Sequence, residues 1–145
     1  MAKNNNLKIE LVKNKKDLEH VFKIRETVFI KEQKVPKDIE RDDFDSIAKH
    51  FVVFYRNKPI GCARISFINK KVKLERIALL KKYRGKGFGK IITEYLIEYC
   101  KKKNVKEIFM HSQYYLKDFY NKCGFKIRGK TFMEADIKHI EMYLN

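Results

Sequence analysis

The 145-residue sequence predicts a mixed α/β (α+β) fold, with a mostly antiparallel sheet of about six to seven strands flanked by about four helices. Three observations carry this. Segments 50–56, 60–68 and 72–80 are rich in β-branched and aromatic residues and are separated only by the turns Asn57-Lys58-Pro59 and Asn69-Lys70-Lys71, which makes them an antiparallel meander. Phe88, Ile91, Ile92, Tyr95, Leu96, Tyr99 and Cys100 then recur at helical spacing, the apolar stripe of one long helix. Strand and helix patterns alternate on both sides of this block, as in a sheet covered by helices.

The elements follow in order. Residues 1–6 are polar and expected to fray. Leu7, Ile9 and Leu11 alternate with charged neighbours and predict a first strand. Asn14 or Asp17 can cap a helix whose inward positions are Leu18, Val21, Phe22, Arg25, Val28 and Phe29, and whose pattern fades before Pro36. The acidic stretch 32–49 reads as a loop or short helix. The three-strand meander comes next, with Gly61 at a position suited to a bulge. The long helix ends in a lysine run at Asn104, where cations suit a helix C-terminus. Segment 105–112 is a strand, Leu116, Phe119 and Tyr120 mark a short helix stopped by Gly124, and 125–128 and 139–144 are two last strands joined by a loop over 129–138.

Length and composition narrow the function. The chain suits a single domain over 1–145, with no repeat, no apolar run of the ~20 residues a membrane span needs, and no hydrophobic leader at its start. Lys and Arg number 34 against 18 Asp and Glu, a net charge of +16. Either an anionic partner or lysine-rich filling of solvated faces explains that excess, and the lysines are spread along the whole chain. Cys62, Cys100 and Cys123 form no metal or CxxC spacing, and an odd count without a leader fits free thiols in a reducing cytoplasm. His20, His50, His111 and His139 also lack ligand spacing, so no metal is expected.

The most informative segment is 74–90, LERIALLKKYRGKGFGK, where a strand runs through a Gly-rich basic turn into the long helix. Unpaired N–H groups and the helix dipole make such a helix start a phosphate site, and glycine removes the Cβ that would hold a pyrophosphate off the backbone. Arg84, Gly85, Lys86, Gly87, Phe88, Gly89 and Lys90 are the candidate binding residues. The turn is not a Walker A loop, because Lys90 is followed by Ile91, and it lacks the third glycine of GxGxxG.

Arg84-x-x-Gly87-x-Gly89 resembles the acyl-CoA signature of the GCN5-related N-acetyltransferases, the GNAT superfamily. Phe119-Tyr120-Asn121-Lys122-Cys123-Gly124-Phe125 is similar to a second element of that family, and the element order agrees along nearly the whole chain. Arg25-x-x-Val28-Phe29-x-x-Glu32-Gln33, Ile39-Glu40 with Asp45 and His50, and Phe132-x-Glu134-x-Asp136-Ile137-x-His139-x-x-Met142 resemble the ElaA/YjcF-like branch. That branch usually carries a glycine where this chain has Ala135-Asp136.

The resemblance implies an acetyl-CoA-dependent N-acetyltransferase with no metal. The loop amides would hold the pyrophosphate, and the backbone of Ile77, Ala78 and Leu79 would pair with the pantetheine arm and polarise the thioester. Tyr120 would protonate the departing thiolate, and Glu75 is a candidate base on the cofactor strand. Glu40, Asp45 and His111 are candidates for the acceptor side. The expected acceptor is the primary amine of a small molecule. The net charge makes an amino-sugar phosphate such as glucosamine 6-phosphate the most concrete choice, while the acidic segment points to a polyamine. A protein or peptide amine remains open, as does a homodimer. The reading from another class is a basic nucleic-acid-binding protein, which lacks any RRM, KH or zinc-finger pattern here; no specific nucleic acid and no membrane partner are expected.

Overall fold

A computed structural model of the chain describes residues 6–145. The expected fraying of 1–6 therefore lies, apart from Asn6, outside the described residues. Leu7–Leu11 forms β1, and Asn14 caps α1 (Lys15–Arg25) by accepting from the Asp17 amide. The helix continues as a π segment, Glu26–Glu32, and ends before Pro36 as expected. A short α2 (Lys37–Glu40) and a 3₁₀ turn (Asp43–Ser46) resolve the acidic stretch, and Asp42 and Asp45 form a reciprocal capping box there. The meander is β2 (Lys49–Tyr55), β3 (Lys58–Ile68) and β4 (Lys71–Leu79). The long helix α3 spans Phe88–Lys101, followed by β5 (Glu107–Gln113), α4 (Lys117–Lys122), β6 (Lys126–Glu134) and β7 (Ile137–Leu144).

The seven strands form one sheet in the order β1-β2-β3-β4-β5-β7-β6, antiparallel throughout except at β4–β5. On one face α3 packs Phe88, Ile92, Leu96 and Cys100 against Ile65, Val72, Leu74, Ile108, Met110 and Met142. On the other, α1 packs Val21 and Ile24, and the π segment Val28, against Val52, Cys62 and Ala78. The stripe of α3 is rotated from the expected one: Thr93 and Ile97 are buried and Tyr95 reaches solvent. The expected loop over 129–138 is mostly strand. β6 and β7 pair up to Glu134↔Ile137, and Ala135 and Asp136 alone make the turn, both at positive φ (51° and 60°).

Two features of β4 place the site. Its pairing with β5 covers only Lys71–Leu74 against Glu107–Met110; beyond, the strands part. Between Cys62 and Arg64 the β3–β4 register slips, with Arg76 at φ 53°. The extra residue flips the side-chain alternation, so Leu74 faces α3 while Ala78, of the same parity, faces α1. Gly61 permits the close approach this needs, since a Cβ there would sit 2.8 Å from the Ala78 carbonyl.

Candidate active site

The Gly-rich turn stands where expected. Gly87 is the N-cap of α3 at φ 84°, a left-handed conformation that branched side chains resist, and the space beyond its missing Cβ is open for at least 4 Å. Gly89 serves a different need: a Cβ there would press on the Phe119 ring at 3.3 Å, so its absence lets α4 lie close to α3. Phe88 offers only its backbone outward, because its ring is buried against Tyr55 at 5.1 Å.

Arg84 is used otherwise than the sequence suggests. Its guanidinium makes a two-point ion pair with Glu32 at 2.6 and 2.9 Å and donates from Nε to the Leu79 carbonyl at 2.9 Å. It thus ties the turn to the π segment and to the end of β4 instead of standing free for phosphate. The bond holds the Glu32 carboxyl below its usual pKa and raises that of Arg84. Other cations surround the turn: Arg56, Lys58, Lys82 and Lys86, with Tyr55 and Tyr83, line a cavity of about 360 Å³.

Ile77, Ala78 and Leu79 lie on β4 beyond its last pairing with β5, so that edge is open to an extended ligand. The parting strands are bridged at their far end from the π segment: Glu32 reaches Arg84, and Gln33 accepts from Gln113 of β5 at 2.8 Å. Tyr120 is buried in α4 between Phe119 and Phe125, and its hydroxyl makes no hydrogen bond among the described residues. Burial pushes its pKa up, so it holds its proton. Burial likewise pushes the Cys62 and Cys100 thiols up to about 12, which makes them poor nucleophiles.

Three expected acidic residues are committed to arginines. Glu40 is buried and its carboxylate binds Arg25 at 2.8 and 3.1 Å. Asp45 accepts from Arg25 and Arg64, at 2.7 and 2.8 Å, which hold its carboxyl far below the usual range despite burial. Glu75 accepts from Arg64 at 2.8 Å and Ser66 at 3.0 Å, with Lys73 at 3.3 Å. The network brings these acids together as anchors, not as free carboxylates, because both Arg25 and Arg64 are fully buried and need counter-charges. Sequence reading overlooked Arg64, a cation in the middle of an otherwise apolar strand, which was the available signal. It also overlooked Glu141, which holds His111 from the neighbouring β7, and Arg128 of β6, which holds Glu141; nothing local in the sequence pairs them.

A sheet opened between two parallel strands, with a glycine turn and a helix start at its mouth, defines a nucleotide-cofactor-binding α/β domain. Residues 12–145 match the acetyltransferase (GNAT) domain, and the chain belongs to that family. It is accordingly an acetyltransferase that takes its acetyl group from acetyl-CoA. It is 34% identical over 137 residues to the uncharacterized N-acetyltransferase YjcF of Bacillus subtilis, covering 94% of this chain and 98% of that one. Its fold is shared with Escherichia coli ElaA (TM-score 0.84, 24% identity, 95% and 99% of the two chains). It is shared too with a Bacillus subtilis acetyltransferase solved in complex with CoA (TM-score 0.74, 20% identity, 96% and 98%). The described residues hold no group of side chains suited to a metal and no helix long and apolar enough to cross a membrane.

Proposed function

We propose that the protein transfers an acetyl group from acetyl-CoA to the primary amine of a small molecule by direct attack, without a covalent enzyme intermediate, as a single domain in a reducing compartment such as the cytoplasm. One observation carries this: the unpaired stretch of β4 leads straight into the left-handed Gly87 turn and the α3 N-terminus. An extended pantetheine can add to that strand edge while its pyrophosphate meets the helix amides. The CoA bound in the Bacillus subtilis structure is consistent with this reading.

Tyr120 supplies the proton for the leaving thiolate, and the backbone of Ile77, Ala78 and Leu79 polarises the thioester carbonyl. The phosphates rest on the amides of Gly85, Lys86, Gly87, Phe88, Gly89 and Lys90, with Lys86 and Lys90 supplying charge. Since Glu40 and Asp45 are neutralised by Arg25 and Arg64, the acidic segment no longer argues for a polyamine. The exposed lysines favour an acceptor bearing an anion, and glucosamine 6-phosphate is the first compound to try.

The test is thiol release from acetyl-CoA across amino sugars, amino-sugar phosphates, polyamines and peptides, with CoA binding measured by calorimetry. Saturable thiol release with one small amine is expected, together with loss of CoA binding in Gly87→Val. Equal CoA binding by wild type and Gly87→Val would remove the loop from the site.

A further inference from the structure

Glu75 and His111 are the first residues beyond the last β4–β5 pair, Leu74↔Met110, so both stand where the strands begin to part. Both project to the face opposite α3, since Leu74 and Met110 belong to the α3 core. Glu75 is engaged by Arg64, Ser66 and Lys73, as described above. His111 is held differently. Its Nε2 lies 3.1 Å from Glu141 Oε1. Glu141 Oε2 accepts from Arg128 Nε at 2.6 Å, and the two other Arg128 nitrogens each bind one oxygen of Glu107 at 2.8 Å. Both His111 and Arg128 are direct cross-strand partners of Glu141, so sheet register alone sets this chain of contacts.

An ionised carboxylate only accepts hydrogen bonds. The Nε2 of neutral His111 therefore carries the proton and the lone pair is on Nδ1. That atom is closed off from water and has no hydrogen-bond partner. An orphaned buried acceptor is costly to keep. Phe109 and Phe132 flank the ring, their centroids 6.1 and 5.1 Å away.

Building on acetyl transfer as the activity, we infer that His111 is its general base and Glu141 the positioning residue behind it. The amine nitrogen bonds to the thioester carbonyl carbon and gives a proton to His111 Nδ1. The C–S bond breaks, and the sulfur takes the Tyr120 proton. When the product amide leaves and water enters, the imidazolium gives its proton to that water and Tyr120 is reprotonated from solvent. Glu107, Arg128 and Glu141 together carry one net negative charge, which offsets the imidazolium. Other charged or titratable groups on this face are Lys71, which meets Glu107 at 3.5 Å, Lys73 and Glu75 of β4, Arg64 of β3, which binds Glu75 and Asp45, and His139 of β7, whose ring stacks on Phe132. The route to Nδ1 runs past the flanking rings, and Phe132 stands where β6 regains its register with β7. This dry aromatic collar selects the neutral amine over the ammonium ion.

Imidazole ¹⁵N NMR of the wild-type protein tests the tautomer, and pH profiles of kcat test the role. The expected results are a proton on Nε2 of neutral His111 and a roughly 10²–10⁴-fold lower kcat in His111→Gln, with CoA binding and melting unchanged. The acid limb of the profile should move to lower pH in Glu141→Gln, because loss of the carboxylate destabilises the imidazolium, and return in Glu141→Asp. A proton on Nδ1, wild-type kcat in His111→Gln, or a limb unmoved by Glu141→Gln would overturn the assignment. If no amine releases thiol from acetyl-CoA, the small-amine activity itself fails, and the NMR tautomer still decides whether His111 is poised as a base.

Discussion

Tyr120 has a buried ring and a hydroxyl with no protein hydrogen bond among the described residues, so the hydroxyl contributes little to stability. Tyr120→Phe should lower kcat about 10²-fold, the low end of the general-acid range, because a raised pKa weakens the donor. CoA affinity and melting temperature should stay near wild type. Full turnover with a lowered melting point would take Tyr120 out of the mechanism. Arg25 shows the opposite balance. Its guanidinium is fully buried and holds both Glu40 and Asp45. Arg25→Met should cost about 3 kcal/mol, the low end for breaking a buried pair, because Glu40 then keeps only Arg76, at 3.2 Å; urea denaturation reads the loss. A loss under 1 kcal/mol would show that the acids find water when the arginine is gone.

At the scale of elements, the β6–β7 turn is built from two residues at positive φ, and Ala135 has a Cβ that opposes that conformation. Ala135→Gly should therefore stabilise the protein by up to about 1 kcal/mol, roughly 2–4 °C in melting temperature for a chain of this size. Asp136→Gly should gain less, since a short polar side chain tolerates this region. The π segment is the other local departure. It carries Glu32 and Gln33 to Arg84 and Gln113, so one helix end braces both sides of the opened sheet.

For the whole molecule, the paired carboxylates set the response to acid. Asp42 and Asp45 are held below 3.8, and Glu32, Glu107 and Glu141 below 4.5, chiefly by arginine partners that outweigh burial where the group is buried. A depressed folded pKa contributes stability that is complete above the unfolded value and lost as pH falls through the folded one. His50 is depressed below 6.5 by burial, and its Nε2 donates to the Asp45 carbonyl. It too loses its contribution on acidification. Thermal melting should thus be level from about pH 7 to 8, decline below 6.5, and fall more steeply below about 4.5; it should fall again above about 9, where the Cys62 and Cys100 thiols ionise in the unfolded chain but not in the folded one. His50→Gln should abolish the upper acid stage alone, and a decline that persists there would point to another group.

Much of this was legible in the chain order. Period-two and helical spacings, the turn residues and the Asn14 cap are local, so the element sequence and the glycine turn followed from neighbours a few residues apart. The strand was legible only over 125–128; its continuation to Glu134 was not, because those exposed, charged and glycine-interrupted residues carry no alternation, and pairing with β7 makes them a strand. The same limit applied to the site. Sequence alone determined the family fold, the glycine-rich turn at the start of the long helix and the short helix that carries Tyr120. Only the tertiary structure decided which charges are free: Arg84, Glu40, Asp45 and Glu75 are all bound to residues between nine and fifty-two positions away. It also decided that His111 keeps an unpartnered nitrogen where β4 and β5 part. Electrostatic pairing depends on distance in space, and sheet register sets that distance between segments whose sequences carry no record of each other.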